Sequence, residues 1–146
     1  MKVEVYGSVP LDSLAVAAED EVSRVVTDSA LALLTQIRRN AATGSHKPGA
    51  PHIPGTGPGP NVATGDYRRS WAVQTGRDAA GAVVALVSTR SPQGPRLEYG
   101  FTDVDSLGRR YAQPPYPHVR PAVEQYRPRF EADMAAALAR AVRRSQ

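Results

Sequence analysis

Between Gly44 and Gly65 the chain reads GSHKPGAPHIPGTGPGPNVATG, with six glycines and five prolines in 22 residues. Proline removes backbone donors and glycine resists ordering, so neither helix nor strand can run through this stretch. Regular structure is therefore divided between residues 1–43 and residues 66–146. Ile53 and Val62 are the only sizeable aliphatic side chains in the stretch, so it has no core of its own. A loop this long inside a compact domain usually carries function. Its prolines restrict the unordered ensemble, so docking it costs less entropy than docking a glycine–serine linker. We expect an arm that orders against an adjacent subunit, with Lys47, Pro48, His52, Ile53, Pro54, Pro58 and Pro60 as its contact residues. His46 and His52 read as exposed loop histidines, because no third metal ligand stands near them.

Ahead of the break, residues 11–40 read as one amphipathic helix. Apolar or small residues recur at Leu11, Leu14, Ala18, Val22, Val25, Ser29, Leu33 and Ile37, in steps of three or four. Pro10 suits a first turn, and Ser8 or Asp12 supplies a cap. Such a helix is about 45 Å long at 1.5 Å per residue, oversized for a small domain. It either projects or packs on a neighbouring subunit. Lys2–Tyr6 reads as an edge strand with Val3 and Val5 on one face.

After the break, Tyr67–Gly76 reads as an extended run around Trp71, which we expect to be a core anchor. A turn over residues 77–81 leads into AVVALVST, residues 82–89, the strongest strand signal in the chain. The two runs form an antiparallel hairpin. RLEYGF follows a proline–glycine turn, Asp103–Gly108 is turn-like, and residues 111–117 are an extended, proline-stiffened approach. Residues 120–146 read as a helix opened by Pro121, with a kink or restart near residues 124–128 caused by Pro128. The whole is an α+β fold. Its N-terminal and C-terminal helices pack on a small antiparallel sheet within a single domain of residues 1–146.

Several chemistries are excluded. The chain has no cysteine, so disulfides, cysteine-ligated metals and cysteine nucleophiles are ruled out. Three histidines do not supply a metal site and a base, and Glu98, Asp103 and Asp105 do not match a calcium loop. No phosphate loop or nucleophile elbow is present, so neither an enzyme nor a cofactor is expected. No apolar run approaches a membrane span. The net charge is +4, and 16 of the 18 basic residues are arginine. Arg140, Arg143 and Arg144 suit the negative end of the last helix, or else a nucleic acid.

The order of pieces is distinctive: a leading helix, TGDYRRSW, a hairpin, LEYGFTD, then QPPYPHVRPAVEQ into a last helix. It resembles the neck or tail-completion proteins of long-tailed bacteriophages, over residues 11–142. The matching positions are Thr64, Gly65, Arg68 or Arg69, and Ser70; then Glu98, Tyr99 and Gly100; then Arg120, Pro121 and Ala122. Tyr116–Val119 departs from the Pro-Phe-hydrophobic run usual in that family, and the glycine–proline stretch is longer than usual. The resemblance implies a structural virion protein, assembled in the host cytoplasm. It would form a ring of six subunits, or twelve against the connector, at the head–tail junction. Its partners would be copies of itself, the head connector or stopper, and the tail terminator or tube proteins. DNA would pass through its channel without sequence-specific contact. At the matching positions, Gly100 is expected to take a positive φ, Pro121 to fix the helix start, and Arg120 to pair with Glu98. The rival readings are a tail terminator or head-closure ring, and a small basic nucleic-acid-binding protein.

Overall fold

A computed structural model describes residues 1–7, 15–44, 60 and 64–144. Lys47, Pro48, His52, Ile53, Pro54 and Pro58 of the expected arm lie outside the described residues, as does the expected helix start at residues 11–14. Pro60 is described and buried, and its carbonyl accepts the Gly44 N–H at 3.3 Å. The breaker stretch is thus closed at its base.

The fold is α+β. Strand β1 (Lys2–Gly7) precedes helix α1 (Ala15–Asn40). A single helical turn, α2 (Asp66–Arg69), leads to β2 (Ala72–Arg77) and β3 (Val83–Ser88). Helix α3 (Gln93–Tyr99), the hairpin strands β4 (Phe101–Val104) and β5 (Arg110–Gln113), and helix α4 (Arg120–Arg144) complete it.

Three strands form one antiparallel sheet in the order β1-β3-β2. The strand with the strongest β signal lies at its centre. Val3 faces Val87 and Val5 faces Ala85 across one ladder; Val73 faces Val87 across the other. The period of two puts all of these on one side, together with Val83, and that side meets α1. On α1 the buried residues are Ala18, Glu21, Val22, Val25, Val26, Ser29, Ala30, Leu33, Leu34 and Ile37, a stripe of helical period two residues wide that is apolar or small except at Glu21. Trp71, 1% exposed, fills the space between the helix and the sheet.

Helix α4 runs antiparallel to α1. Near the C-terminal end of α1, Asn40 donates to the His118 carbonyl at 3.0 Å, just before α4 begins. Near the other end, the fully buried Glu21 meets Arg140 Nε at 3.0 Å and Arg144 Nη1 at 2.7 Å. The Arg140 contact is a full hydrogen bond, whereas Arg144 is an ion pair without hydrogen-bond alignment. Two arginines of the basic tail thus pair with Glu21 while their side chains stay part-exposed at the helix end.

Three further expectations are corrected. Tyr67–Ser70 is helical rather than extended, with the Ser70 N–H returning to the Asp66 carbonyl at 2.9 Å. A reciprocal clamp fixes this turn. Arg68 Nε donates to the Arg38 carbonyl at 3.0 Å, and Arg38 donates to the Arg68 and Trp71 carbonyls at 3.1 and 2.7 Å. Gly65, at φ 81°, makes the turn into it. Second, α4 does not restart at Pro128 but runs through it. Pro128 is exposed, so the carbonyl that loses its donor faces water rather than the core. Third, the proline–glycine turn expected before RLEYGF is the first turn of α3, which runs through Tyr99 to the start of β4. Helix α3 tolerates Gly94 and Pro95 because both sit in its first turn, where a missing N–H loses no helical bond.

Replacing Trp71 with alanine should lower the unfolding free energy by about 3–5 kcal/mol, the usual loss for a large buried aromatic. Urea titration followed by circular dichroism measures it, and an unchanged midpoint would remove Trp71 from the core.

Candidate functional site

The three segments that carry the resemblance meet at one place. Glu98, at the end of α3, is 4% exposed and points at the start of α4. Its Oε2 accepts the backbone N–H groups of His118 at 2.8 Å and Val119 at 2.9 Å, and its Oε1 accepts that of Arg120 at 2.8 Å. The first N–H groups of any helix lack intrahelical partners. Here a remote carboxylate satisfies the N–H of Arg120 and those of the two residues leading into the helix, while Pro121 brings no donor that needs satisfying. The carboxylate's charge also sits at the positive end of the helix dipole. Burying an ionised carboxyl is costly unless it is paired, and three N–H donors provide that pairing.

Glu98 thus finds the Arg120 locus, but not as expected. The Arg120 guanidinium is exposed and stands 3.9 Å from Glu124, one turn along α4. The contact with Glu98 is made by the Arg120 backbone. The correction has a simple cause: a buried carboxylate is better neutralised by fixed N–H groups than by a long side chain that must also be desolvated.

His118, 0% exposed, is the second member of the cluster. Its Nδ1 lies 3.0 Å from the Tyr116 carbonyl and 3.2 Å from Glu98 Oε2, both acceptors, which assigns the proton to Nδ1. Nε2 is then free to accept the Tyr67 hydroxyl, and it does so in a short hydrogen bond. The rings of Tyr67, Trp71 and His118 contact one another edge to face, with centroids 5.4 to 6.4 Å apart. Burial holds His118 below its usual pKa, outweighing the Tyr116 carbonyl and Glu98, which raise it. Burial likewise pushes the Tyr67 phenol up to about 12. The Trp71 indole N–H has no hydrogen-bond partner among the described residues, and its effect on the Tyr67 phenol is to lower the pKa slightly against the larger desolvation.

A histidine, a carboxylate and a tyrosine in contact invite a catalytic reading, but the geometry spends them. Both His118 nitrogens and both Glu98 oxygens are occupied by protein groups, and neither side chain reaches solvent. A polar cleft of about 620 Å³ opens beside Tyr67 and is also lined by Arg68, Ser70, Ser91, Gln93 and Arg96. Its serine at position 70 bonds Thr89 Oγ1 and the Tyr67 carbonyl, each at 2.6 Å, rather than a base. Among the described residues no group of three His, Asp or Glu is placed to hold a metal ion. No described helix is long and apolar enough to cross a membrane.

Of the remaining sequence-derived candidates, Arg68 is held in the clamp with Arg38, and Arg69 is exposed and paired with Asp66. Pro121 lies in the first turn of α4 as expected. Gly100 takes φ 83° and ψ 173°, and a Cβ there would stand 2.9 Å from the Gln113 carbonyl. The sequence reading missed His118, Tyr67 and Glu21. For Glu21 a signal existed: it falls three residues after Ala18 and four before Val25, on the apolar stripe itself. No protein-family model, curated protein or solved structure matches the chain.

Glu98→Gln keeps the size but loses the charge and leaves at least one N–H facing a donor, so it should cost about 2–4 kcal/mol. Arg120→Ala should cost under about 0.5 kcal/mol. Denaturant unfolding of the two variants separates a backbone contact from a guanidinium pair.

His118 and Glu21 both make the fold acid-sensitive. The folded His118 resists protonation, so its contribution is complete above about pH 6.5 and falls away as the unfolded chain gains a proton below that value. The Arg140 hydrogen bond is the largest influence holding Glu21 below the carboxylate range, so its contribution is lost at lower pH, as the folded carboxyl protonates. Stability measured against pH should decline in two stages below neutrality, and His118→Phe should remove the upper one.

Proposed function

We propose that this chain is a structural subunit of the head–tail junction of a long-tailed bacteriophage. In this reading it forms a ring that joins the head connector to the tail and leaves a channel for DNA. One observation carries the reading. Tyr67 from TGDYRRS, Glu98 from LEYG and the HVRPA segment converge on a single buried cluster. The ordered motifs on which the resemblance rests thus have a common physical reason to occur together: they build the joint that starts α4. The chemistry supports an architectural role, because the groups that could act as acid and base are consumed in holding that joint.

The nucleic-acid-binding alternative draws on the net charge of +4. It is weakened by Arg140 and Arg144, part of whose charge is spent on the buried Glu21 carboxylate. The readings differ in solution. A neck subunit should bind duplex DNA weakly at physiological salt. A DNA-binding protein should bind tightly, with an affinity that falls steeply as salt rises, because releasing counterions into a saltier solution gains less entropy. Fluorescence anisotropy at 50 and 200 mM salt (roughly the range over which such binding collapses) distinguishes them. In a phage producing this chain, loss of the protein should yield filled heads and finished tails that do not join. Normal particles from such a deletion would overturn the proposal.

A further inference from the structure

The two hairpins of this fold close on the same turn. In β2–β3 the sequence is Asp78-Ala79-Ala80-Gly81-Ala82, and in β4–β5 it is Asp105-Ser106-Leu107-Gly108-Arg109. In each, the aspartate Oδ1 accepts two backbone N–H groups at 2.9 Å: Ala80 and Ala82 in the first, Leu107 and Arg109 in the second. In each, the glycine has a positive φ, 83° and 76°, and donates to the aspartate carbonyl. The turns differ at the position before the glycine, where one has Ala80 and the other Leu107. Alanine evidently suffices for the turn, so leucine is not needed there for folding.

Leu107 is 76% exposed. It sits at the tip of a hairpin in which every residue from Thr102 to Ala112 is exposed except Asp105. Its turn is also braced further than its sister: Arg109 Nε and the Tyr111 hydroxyl donate to Asp105 Oδ2 at 2.5 and 3.0 Å. A large apolar side chain is thus held out to water on a preorganised tip, which is how an interface anchor is built.

A matching hole exists elsewhere on the molecule. Along the edge of β1 that carries no strand partner, a groove of about 160 Å³ opens against α4, lined by Val3, Val5, Leu33, Val123, Tyr126 and Phe130. An apolar cavity of about 150 Å³ accepts a benzene-sized group, so this one has room for a leucine side chain. One charge corresponds as well. Arg127 also lines the groove, beside a Glu4 already paired with Lys2 and Tyr6, and Asp103 and Arg110 flank the tip. Among the described residues neither Arg110 nor Arg127 has an ion pair. Leu107 does not fill the groove of its own chain, since it is exposed.

We propose that Leu107 of one copy of this chain inserts into the β1–α4 groove of the next, with Asp103 toward Arg127. Knob and hole lie on different surfaces, so the contact can repeat head to tail and close into a ring when the rotation allows. The inference deepens the ring reading above and supplies its subunit contact.

The natural chain has no cysteine, which makes the test direct. Leu107→Cys and Tyr6→Cys proteins, the latter at an exposed groove residue, are mixed at millimolar concentration under oxidising conditions. A disulfide between the two variants is expected. Ala80→Cys, at the equivalent place in the sister turn, should give none with Tyr6→Cys. Leu107→Ala should leave melting unchanged and weaken self-association about ten- to hundredfold by sedimentation, as expected for removing a leucine anchor. Leu107→Cys linking only to itself, or no crosslink at all, would overturn the contact, even if microscopy shows a ring. Crosslinked closed dimers would support the contact while counting against the ring.

Discussion

The Glu98 carboxylate is the point on which the rest of the fold depends. Helix α4 has no local side-chain cap: residues 118 and 119 are histidine and valine, and residue 121 is proline. The His118 and Val119 N–H groups leading into it are buried, and that of Arg120 is partly so. Without a buried acceptor they would be orphaned, at a cost of the same order as the stability of a small domain once two or three are summed. Glu98 removes that cost, and in doing so it fixes where α4 starts relative to α3. His118 and Tyr67 then extend the joint to α2, and the Arg38–Arg68 clamp extends it to α1.

At the far end of α4 the arrangement is mirrored in chemistry. There the buried carboxylate, Glu21, belongs to α1 and the partners are arginines of α4. Between these two anchors α4 buries Ala122, Ala137 and Ala141 and packs Val123, Tyr126, Phe130, Met134 and Leu138 against the core that α1 lines. The two charge contacts hold opposite ends of α4, one to α3 through the Glu98 carboxylate and the other to α1 through Glu21.

Sequence reasoning reached the parts of this architecture that repeat. The period of α1, the alternation of β1 and the β-branched run of β3 are properties of many residues at once, and the α+β class follows from them. It did not reach features set by one contact. The turn at Tyr67–Ser70 has the composition of an extended run and becomes helical because Arg38 and Gly65 hold it so. Helix α3 has seven residues, too few for a period to show, and contains a glycine and a proline. Glu98 and Arg120 were placed together, but opposite charges drew the inference to the guanidinium, whereas the backbone N–H groups carry no sequence signature. His118 was invisible for the same reason: a buried neutral histidine is defined by what surrounds it.

The buried joint and the exposed hairpin are one mechanical unit. Helix α3 ends in Glu98 and Tyr99, and the next residue, Gly100, turns directly into β4. With φ 83° and ψ 173°, Gly100 occupies a region essentially closed to other residues, and a side chain there would collide with Gln113 and Pro115. The hairpin root is tied again where the Tyr116 N–H meets the Leu97 carbonyl at 2.7 Å and Arg96 stacks 4.1 Å over the Phe101 ring. A two-stranded hairpin is marginal alone in water, and this one has little else to lean on. Its direction is therefore inherited from α3, and α3 is held by the same carboxylate that starts α4. A tip exposed at Leu107 is in this way indexed to the core through a chain of short, directional contacts.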